Sequence, residues 1–196
     1  LRLPSSQGVA LKLIVGLGNP TAQYAETRHN AGLRFLDRLA AQEGLVFAQE
    51  TAMHGLVATW RSSTSAVYLL KPMTYMNRSG MSVRAIMSFY RIEPDSLLVV
   101  HDELEFSAGV ARLKKGGGHG GHNGLRDILN HLDPGFLRLR LGIGHPGDRS
   151  RVASYVLDRP SVADRQLLDE AIERSLAVLP WLLKGDEQRA MNMLNT

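Results

Sequence analysis

Four of the seven histidines occupy positions suited to proton transfer. His29 stands at the mouth of a predicted helix, and His101 precedes Asp102 at the end of a predicted strand. His119 and His122 lie in a glycine-rich run. Histidine is the side chain whose ordinary pKa suits acid–base chemistry near neutral pH. These positions therefore indicate a general acid or base.

No side chain of this sequence offers an obvious nucleophile. The chain contains no cysteine, which excludes thiolate nucleophiles, thiolate zinc sites and iron–sulfur ligation. It also lacks the Gly-x-Ser-x-Gly turn that presents a nucleophilic serine. A base without a nucleophile points to an activated water molecule. His29 with Asp102 fits that chemistry, because a carboxylate can fix the tautomer of a histidine and stabilise the imidazolium that forms.

A metal centre is the first alternative. His119 and His122, with Asp102 and Glu103, could be assembled into a ligand set. The His-Glu-x-x-His pattern is absent, however, and a glycine-rich loop would not hold two ligands in position. We therefore predict no metal ion, and a loss of activity with a chelator would restore the alternative.

A nucleotide cofactor is the second alternative. The first glycine pair, Gly16 and Gly18, is followed by Thr21 where the dinucleotide fingerprint needs a third glycine. Two full Gly-x-Gly-x-x-Gly matches occur, at 116–121 and 142–147, but neither has the strand, helix and acidic residue that the fingerprint requires. No Gly-Lys-Ser/Thr exists for a phosphate-binding loop of the Walker type. The sequence therefore favours a protein without a cofactor.

Asparagines recur in the loops that carry these histidines, at Asn19, Asn77 and Asn123. Each could be a turn or helix-cap residue, a role that asparagine fills well. Each could instead hold a water molecule, or donate to an ester carbonyl as its oxygen becomes an oxyanion. The residues alone leave both interpretations open.

Predicted strands alternate with predicted helices along the chain, which is typical of α/β proteins. Hydrophobic periodicity predicts strands at 11–16, 45–48, 54–60, 65–70, 96–101, 110–115 and 136–142. It predicts helices at 30–43, 79–90, 125–132, 150–157 and 161–184. The predicted fold is a single-domain three-layer sandwich with a twisted, mixed and mostly parallel central sheet flanked by helices. In such sheets chemistry collects beyond the carboxyl ends of the strands.

Length and composition indicate one globular domain. The chain has 196 residues, and 23 basic against 19 acidic residues leave a net charge of +4. We assign residues 11–196 to the domain and treat residues 1–10 as an extension outside its fold. No apolar run approaches the roughly 20 residues of a membrane span, and no signal peptide is visible at the start. Together with the absence of cysteine, this predicts a cytoplasmic protein that has no membrane partner.

Strand 136–142 alternates leucine with arginine, which predicts a strand with one solvated, positively charged face. Its arginines are Arg138 and Arg140, and Lys114 lies just before the glycine-rich run. A cluster of cations around a glycine loop is compatible with binding a nucleic acid through its phosphates.

Six motifs together resemble the bacterial-type peptidyl-tRNA hydrolase family. They occupy, in family order, residues 16–20, 24–32, 71–80, 100–104, 116–124 and 140–147. The resemblance covers nearly the whole chain from residue 11. It implies a metal-free, monomeric cytoplasmic α/β enzyme that hydrolyses the ester between a peptide, or an N-blocked amino acid, and the 3′ ribose of tRNA.

The resemblance also implies roles for particular residues. His29 would activate water and Asp102 would orient it, while Asn123 would bind the attacking water or the oxyanion. Lys114 and Arg140 would clamp the 5′-phosphate of the acceptor stem, whose CCA end carries the peptide. The resemblance also implies a set of residues that would bind the substrate: Asn19, Tyr24, Met76, Asn77, His122 and Asn123.

A non-catalytic RNA-binding module is the alternative from another functional class. It would use the same cationic face. Binding alone does not require His29, Asp102 and three loop asparagines, so these residues favour the enzyme.

Overall fold

The computed structural model describes residues 8–63 and 65–196. Within them the strands are β1 Leu13–Gly16, β2 Ala48–Glu50, β3 Gly55–Arg61, β4 Ala66–Pro72, β5 Leu97–Glu103, β6 Ala111–Lys115 and β7 Leu137–Gly142. The α-helices are α1 Ala31–Glu43, α2 Ser79–Tyr90, α3 Asn123–Leu129, α4 Val152–Val156, α5 Val162–Leu183 and α6 Glu187–Leu194. The predicted extension at residues 1–10 lies, up to residue 7, outside the described residues.

The strands form one sheet in the order β2-β3-β4-β1-β5-β7-β6. The four central strands, β4, β1, β5 and β7, run parallel to one another, whereas β2 pairs with β3, β3 with β4 and β6 with β7 in antiparallel fashion. The predicted α/β fold with a mixed, mostly parallel sheet is therefore confirmed. Because parallel neighbours end at the same edge, the polar loops after β1, β4 and β5 meet there.

Helices cover both faces of the sheet and give it two apolar cores. On one face α1, α5 and α6 pack through residues such as Phe35 and Ile172. On the other face α2 and α3 pack through residues such as Ile86 and Ile128. The near-continuous apolar sequences of β1 and β5 follow from this arrangement, since both faces of these strands are buried. No helix within the described ranges has the length and apolar character needed to cross a membrane.

Two predicted elements are clearly displaced in the structure, and one observed helix was not predicted. The predicted strand 45–48 is displaced to β2, whose residues are all exposed, so apolar patterning carries no signal for it. Helix α3 begins at residue 123 rather than 125 because His122 caps it. Helix α6 was not predicted: it buries only Ala190 and Leu194, and Asp186, directly before it, caps it by accepting from the Arg189 amide.

Candidate active site

Asp102, near the carboxyl end of β5, is shared by two histidines. Its Oδ2 lies 2.9 Å from Nδ1 of His29, and its Oδ1 lies 2.8 Å from Nε2 of His122. Asp102 is 3% exposed and His29 is 8% exposed. The two imidazole rings stand 5.0 Å apart between centroids. A single buried carboxylate thus orients both rings.

The hydrogen bonds around this cluster determine the tautomer of each histidine. Nδ1 of His122 accepts from the backbone amides of Gly124 and Leu125, at 3.1 and 3.3 Å. It is therefore unprotonated in the neutral ring, so Nε2 carries the proton that His122 donates to Asp102. His29 donates to the other carboxylate oxygen through Nδ1. Its Nε2 is then the unprotonated nitrogen, which is the form of a general base.

Close packing at the start of α1 brings His29 to Asp102. His29 lies in the 3-10 turn Arg28–Asn30, directly before α1. A Cβ on Gly32 would overlap the carbonyl oxygen of Val100 and the amide of Leu17. The absence of side chains at such positions allows the helix backbone to approach the strands closely. The helix start therefore rests directly on the sheet beside Asp102.

Charge and burial act in opposite directions on the pKa of His29. Burial lowers this pKa, whereas the negative charge of Asp102 and the hydrogen bond to it raise it, and the net pKa lies above the ordinary 6.5. Burial raises the pKa of Asp102, but the charges and hydrogen bonds of His29 and His122 reverse that effect and leave it below its ordinary value. The carboxylate therefore stays ionised and faces His29 throughout the neutral range.

His101 behaves differently from its neighbours. Its Nδ1 donates to the Asp102 carbonyl oxygen at 2.8 Å, and its Nε2 is buried without a partner among the described residues. Burial, with a contribution from the charge of His122, lowers the pKa of His101 to about 3. His101 is thus a neutral, buried side chain and not a proton carrier.

A cavity of about 290 Å³ opens beside the shared carboxylate. Of the predicted site residues, the structure brings four to this cavity: His29, Asp102, His122 and Asn123. Its wall also includes residues that were not among the predicted site residues: Glu103, Leu104, Gly120, Gly121, Arg149, Val152, Ala153 and Val156. Those from 149 to 156 belong to α4 and the turn before it, which lie far along the chain and carry no motif of their own.

Asn19 and Met76 lie outside the wall of this cavity and connect neighbouring loops. Oδ1 of Asn19 accepts from the backbone amide of Met76 at 2.9 Å, which joins the loops after β1 and β4. Asn19 also exchanges two hydrogen bonds with Asn30. The Met76 sulfur lies against Gly124, where a Cβ would stand 2.6 Å from it. Neither residue lines the 290 Å³ cavity, although Asn19 borders a separate cavity of about 420 Å³ along α1.

Tyr24 and Asn77 stand apart from this group. Tyr24 is half-buried in the 3-10 turn Ala22–Tyr24, and Asn77 is exposed in the turn Met76–Arg78. Neither lines the cavity beside Asp102. Their predicted contacts with substrate stay predictions.

A second cavity, of about 250 Å³, collects the predicted phosphate-binding cations. Lys114 and Arg140 both line it, together with Arg138 and His101. Lys114 pairs in register with Arg138, across β6 and β7. Side chains at paired positions of adjacent strands share a face, so the register gathers these cations on one side of the sheet.

The prediction that one face of β7 is solvated is wrong. Arg138 is 2% exposed, because β7 lies inside the sheet and the glycine loop covers its arginine face. The guanidinium of Arg138 donates to the carbonyl oxygens of Gly117, at 2.6 Å, and Gly118. Burial and the nearby charge of Arg140 lower the pKa of Arg138. Arg138 therefore holds the glycine loop in place while its positive charge stays beneath the cavity.

The cluster His29, Asp102 and His122 also has the dimensions of a metal site, since one ligand atom from each lies within 4.8 Å of the others. His119 and Glu103, considered as ligands from sequence, are not part of it. A metal ion would need the His122 Nε2 lone pair, yet that nitrogen carries a proton as long as Nδ1 caps α3. The hydrogen bonds therefore suit proton transfer better than metal ligation.

His122 links the start of α3 to Asp102, which makes its removal a test of stability. We expect His122→Ala to lower the free energy of unfolding by roughly 2–3 kcal/mol, because it deletes a helix cap and a donor to a buried carboxylate. His122→Asn should recover about 1 kcal/mol of this, since asparagine caps a helix but is too short to reach Asp102. Chemical denaturation measures both values.

His119→Ala is the matched control for that measurement. Among the described residues, Nδ1 of His119 accepts from the Gly121 amide alone, in an exposed loop, so the loss should stay within about 0.5 kcal/mol. Equal losses for His119→Ala and His122→Ala would contradict the linking role of His122.

Comparison with known proteins identifies the family. A family model described as peptidyl-tRNA hydrolase matches residues 13–196. The peptidyl-tRNA hydrolase of Methylococcus capsulatus is 55% identical over 186 residues, covering 94% of this chain and 99% of the relative. That of Pseudomonas paraeruginosa is 53% identical over 189 residues, covering 95% and 97%. A crystal structure of the Acinetobacter baumannii peptidyl-tRNA hydrolase superposes with a TM-score of 0.94 at 47% identity, covering 98% of both chains.

Proposed function

The chain belongs to the peptidyl-tRNA hydrolase family and is thus a hydrolase of ester bonds, and we propose that it releases tRNA from peptidyl-tRNA with His29 as general base. The observation that carries this mechanism is the His29–Asp102 pair, which leaves Nε2 of His29 unprotonated at the wall of a 290 Å³ cavity. The substrate is the ester that joins a peptide, or an N-blocked amino acid, to the 3′ ribose.

The proposed reaction begins with a water molecule at Nε2 of His29. As the water oxygen attacks the ester carbonyl carbon, its proton passes to Nε2, and Asp102 stabilises the imidazolium through Nδ1. The carbonyl oxygen becomes an oxyanion, to which the Asn123 amide donates. The carbon–oxygen bond to the ribose then breaks, and His29 returns the proton to the departing 3′ oxygen. The products are a free peptide and a tRNA with a 3′ hydroxyl.

The substrate contacts follow the arrangement of the loops. Asn123 and His122 border the cavity itself. Asn19 and Met76 hold the neighbouring loops in register and, with Tyr24 and Asn77, would contact the peptidyl part and the terminal adenosine of the CCA end. We further propose that the protein acts as a cytoplasmic monomer without a metal or another cofactor.

The test of this function is cleavage of N-acetyl-aminoacyl-tRNA compared with free-amine aminoacyl-tRNA, both in the presence of a chelator. Cleavage of the blocked substrate alone supports the proposal. Cleavage that disappears with the chelator would favour a metal-dependent mechanism. Binding of tRNA without any cleavage would favour a non-catalytic RNA-binding module.

Lys114 and Arg140 are the proposed contacts to the 5′-phosphate of the acceptor stem. We expect Lys114→Ala or Arg140→Ala to weaken tRNA binding and to reduce the slope of log Kd against log salt by about one unit, because one phosphate contact is lost. Filter binding or fluorescence anisotropy at several salt concentrations measures this slope.

Lys115→Ala is the matched control, because it removes the same charge from the next residue. Lys115 pairs with Leu137 in register and with Glu187 through its ammonium group at 3.2 Å, on the opposite face of β6 from Lys114. We expect its salt slope to match that of the unmodified protein. Identical slopes for Lys114→Ala and Lys115→Ala would contradict the proposed clamp.

A further inference from the structure

One wall of the cavity beside Asp102 comes from a very short helix. Helix α4 spans Val152–Val156, and Val152, Ala153 and Val156 all line the cavity. Isolated helices of this length are not stable in water. Of these five residues, all of which the structure describes, Val156 alone is buried. The position of this apolar wall therefore depends on the contacts that tie α4 to its neighbours.

Arg28 ties α4 to the turn that carries His29. The guanidinium carbon of Arg28 lies 3.8 Å from the centroid of the Tyr155 ring, and its Nη1 donates to the Tyr155 carbonyl oxygen at 2.9 Å. The backbone amide of Arg28 donates to the carbonyl oxygen of Asp158, just after α4, at 3.0 Å. Because Arg28 and His29 are consecutive residues of one 3-10 turn, these contacts fix His29 and α4 relative to each other.

Tyr155 also anchors α4 at the edge of the sheet. Its hydroxyl donates to the carbonyl oxygen of Ile143, directly after β7, at 2.6 Å. The next residue, Gly144, has a left-handed φ of 76°, and a Cβ there would stand 3.0 Å from that hydroxyl. A glycine at this position therefore leaves room for Tyr155. The Tyr155 side chain is held between Arg28 on one side and the end of β7 on the other.

We propose that Arg28 is a positioning residue for hydrolysis: by holding Tyr155, it keeps α4 against the turn of His29 and keeps the apolar wall in place beside the attacking water. This inference rests on the proposed function, in which His29 activates that water. It goes further in assigning a role to a side chain outside the cavity, since Arg28 is not among the described residues that line it. Arg28 acts through α4 and not on the substrate.

The wall supplied by α4 affects the reaction through water. When the proton of the attacking water passes to His29, an imidazolium forms beside Asp102, and the attraction between the two charges is stronger where bulk water is excluded. The wall also confines the attacking water near Nε2 of His29. Because a misplacement of about 1 Å can lower a rate by about 10²-fold, a small displacement of α4 is expected to slow hydrolysis.

Arginine suits this role because of its shape. A planar guanidinium can stack its face on an aromatic ring while its edge donates to a carbonyl oxygen. The ammonium group of a lysine is a compact point charge. It can approach the Tyr155 ring or the Tyr155 carbonyl oxygen, but it has no flat face and edge with which to hold both as Arg28 does.

The experiment compares Arg28→Ala with the unmodified protein in three measurements. We expect the single-turnover hydrolysis of N-acetyl-aminoacyl-tRNA to fall by about tenfold to a hundredfold. The Kd for deacylated tRNA should stay within about twofold, since no substrate contact is lost. Hydrogen exchange of the amides in α4 should become faster, while exchange in α1 stays unchanged. Arg28→Lys keeps the charge and should still lose about tenfold in the hydrolysis rate.

Arg159→Ala is the matched control. Arg159 is exposed and lines the same cavity of about 570 Å³ as Arg28 and Tyr155, so its substitution removes the same charge from the same place but leaves Arg28 on Tyr155. Hydrolysis and exchange in α4 should both match the unmodified protein.

Variants of Tyr155 test the contact from the other side. Tyr155→Leu removes the ring and should lose nearly as much of the hydrolysis rate as Arg28→Ala. Tyr155→Phe keeps the ring under Arg28 and loses only the hydrogen bond to Ile143, so its loss should be smaller. The double variant Arg28→Ala/Tyr155→Leu should lose clearly less than the product of the two single losses, because both substitutions remove one shared contact.

The outcomes separate this inference from the function on which it rests. Unchanged hydrolysis in Arg28→Ala would overturn it, as would a slower rate without faster exchange in α4 or an equal loss in Arg159→Ala. Weaker tRNA binding with an unchanged single-turnover rate would make Arg28 a substrate contact and would also overturn it. If Arg28→Ala does not fold, Arg28→Lys and Tyr155→Leu carry the same test. Absence of hydrolysis in the unmodified protein would reject the proposed function itself.

Discussion

Replacing His29 by alanine is expected to lower the turnover of N-acetyl-aminoacyl-tRNA by roughly two to four orders of magnitude, the usual range for the loss of a general base. Asp102 and His122 would remain, but no unprotonated nitrogen would receive the proton of the attacking water. Binding should survive, because the proposed phosphate contacts lie in a separate cavity. Single-turnover hydrolysis and the dissociation constant for deacylated tRNA measure the two effects independently.

His54→Asn is a suitable control for that variant. His54 is exposed and has a left-handed backbone conformation with φ of 50°, which asparagine tolerates. The turnover of His54→Asn should stay close to that of the unmodified protein. Turnover of His29→Ala within about tenfold of the unmodified protein would contradict the assignment of the base.

Asp102→Asn is expected to lower turnover by a factor of about 10³–10⁴, comparable with the loss of an orienting carboxylate elsewhere. The carboxylate accepts from two N–H groups, one on each histidine. An asparagine in its place offers one accepting oxygen and one donating amide. If the amide faces His29, the ring must place its proton on Nε2 and loses the base; if it faces His122, the cap of α3 is lost.

The pH dependence of Asp102→Asn should differ from that of the unmodified protein in a definite direction. The charge of Asp102 raises the pKa of His29, so the acid limb of kcat/KM for the unmodified protein should lie above pH 6.5. The base must be neutral to act, and activity therefore falls as the pH drops through this pKa. Removing the charge lowers the pKa of His29 and moves the acid limb of Asp102→Asn to lower pH.

Asp127→Asn provides the comparison for Asp102→Asn. Asp127 accepts from the Gly80 amide at 2.7 Å between α3 and α2, outside the wall of the cavity. The Asp127→Asn variant should leave the position of the acid limb unchanged, even if the substitution reduces stability. An acid limb that does not move in Asp102→Asn would contradict the coupling between His29 and Asp102.

The central part of the fold could be predicted from the sequence because its signals are local. The apolar run ending at Gly16 and the left-handed Gly44 after α1 each depend on a few neighbouring residues. Strand β2 and helix α6 could not be predicted in this way. The polar sequence of β2 forms a strand only because a neighbouring strand is available to it at the sheet edge. The polar sequence of α6 forms a helix only because one of its faces is buried in the folded protein.

The candidate site likewise has some features with local sequence signals and others that depend on the fold. His29 and Asp102 could be selected from residue types at the start of a predicted helix and the end of a predicted strand, whereas a role for Asn123 came only from the family resemblance. The pairing of Glu103 with Arg140 depends on the register of β5 against β7, which joins segments almost 40 residues apart and has no local signal. The burial of Arg138 likewise depends on the glycine loop that folds over it.

The double role of His122 was not predictable either. Histidine is not a preferred residue at the start of a helix, so the sequence gives no reason to expect it to cap α3. Only the structure shows that one ring nitrogen accepts from two amides while the other donates to Asp102.

The most direct test of the central claim is a ¹⁵N NMR titration of the His29 side chain, compared with the pH dependence of single-turnover hydrolysis. The proposed mechanism predicts a neutral ring with its proton on Nδ1, a pKa above 6.5 and an acid limb of hydrolysis at the same pH. A neutral ring with its proton on Nε2 would contradict the claim, as would an acid limb at a pH where His29 does not titrate.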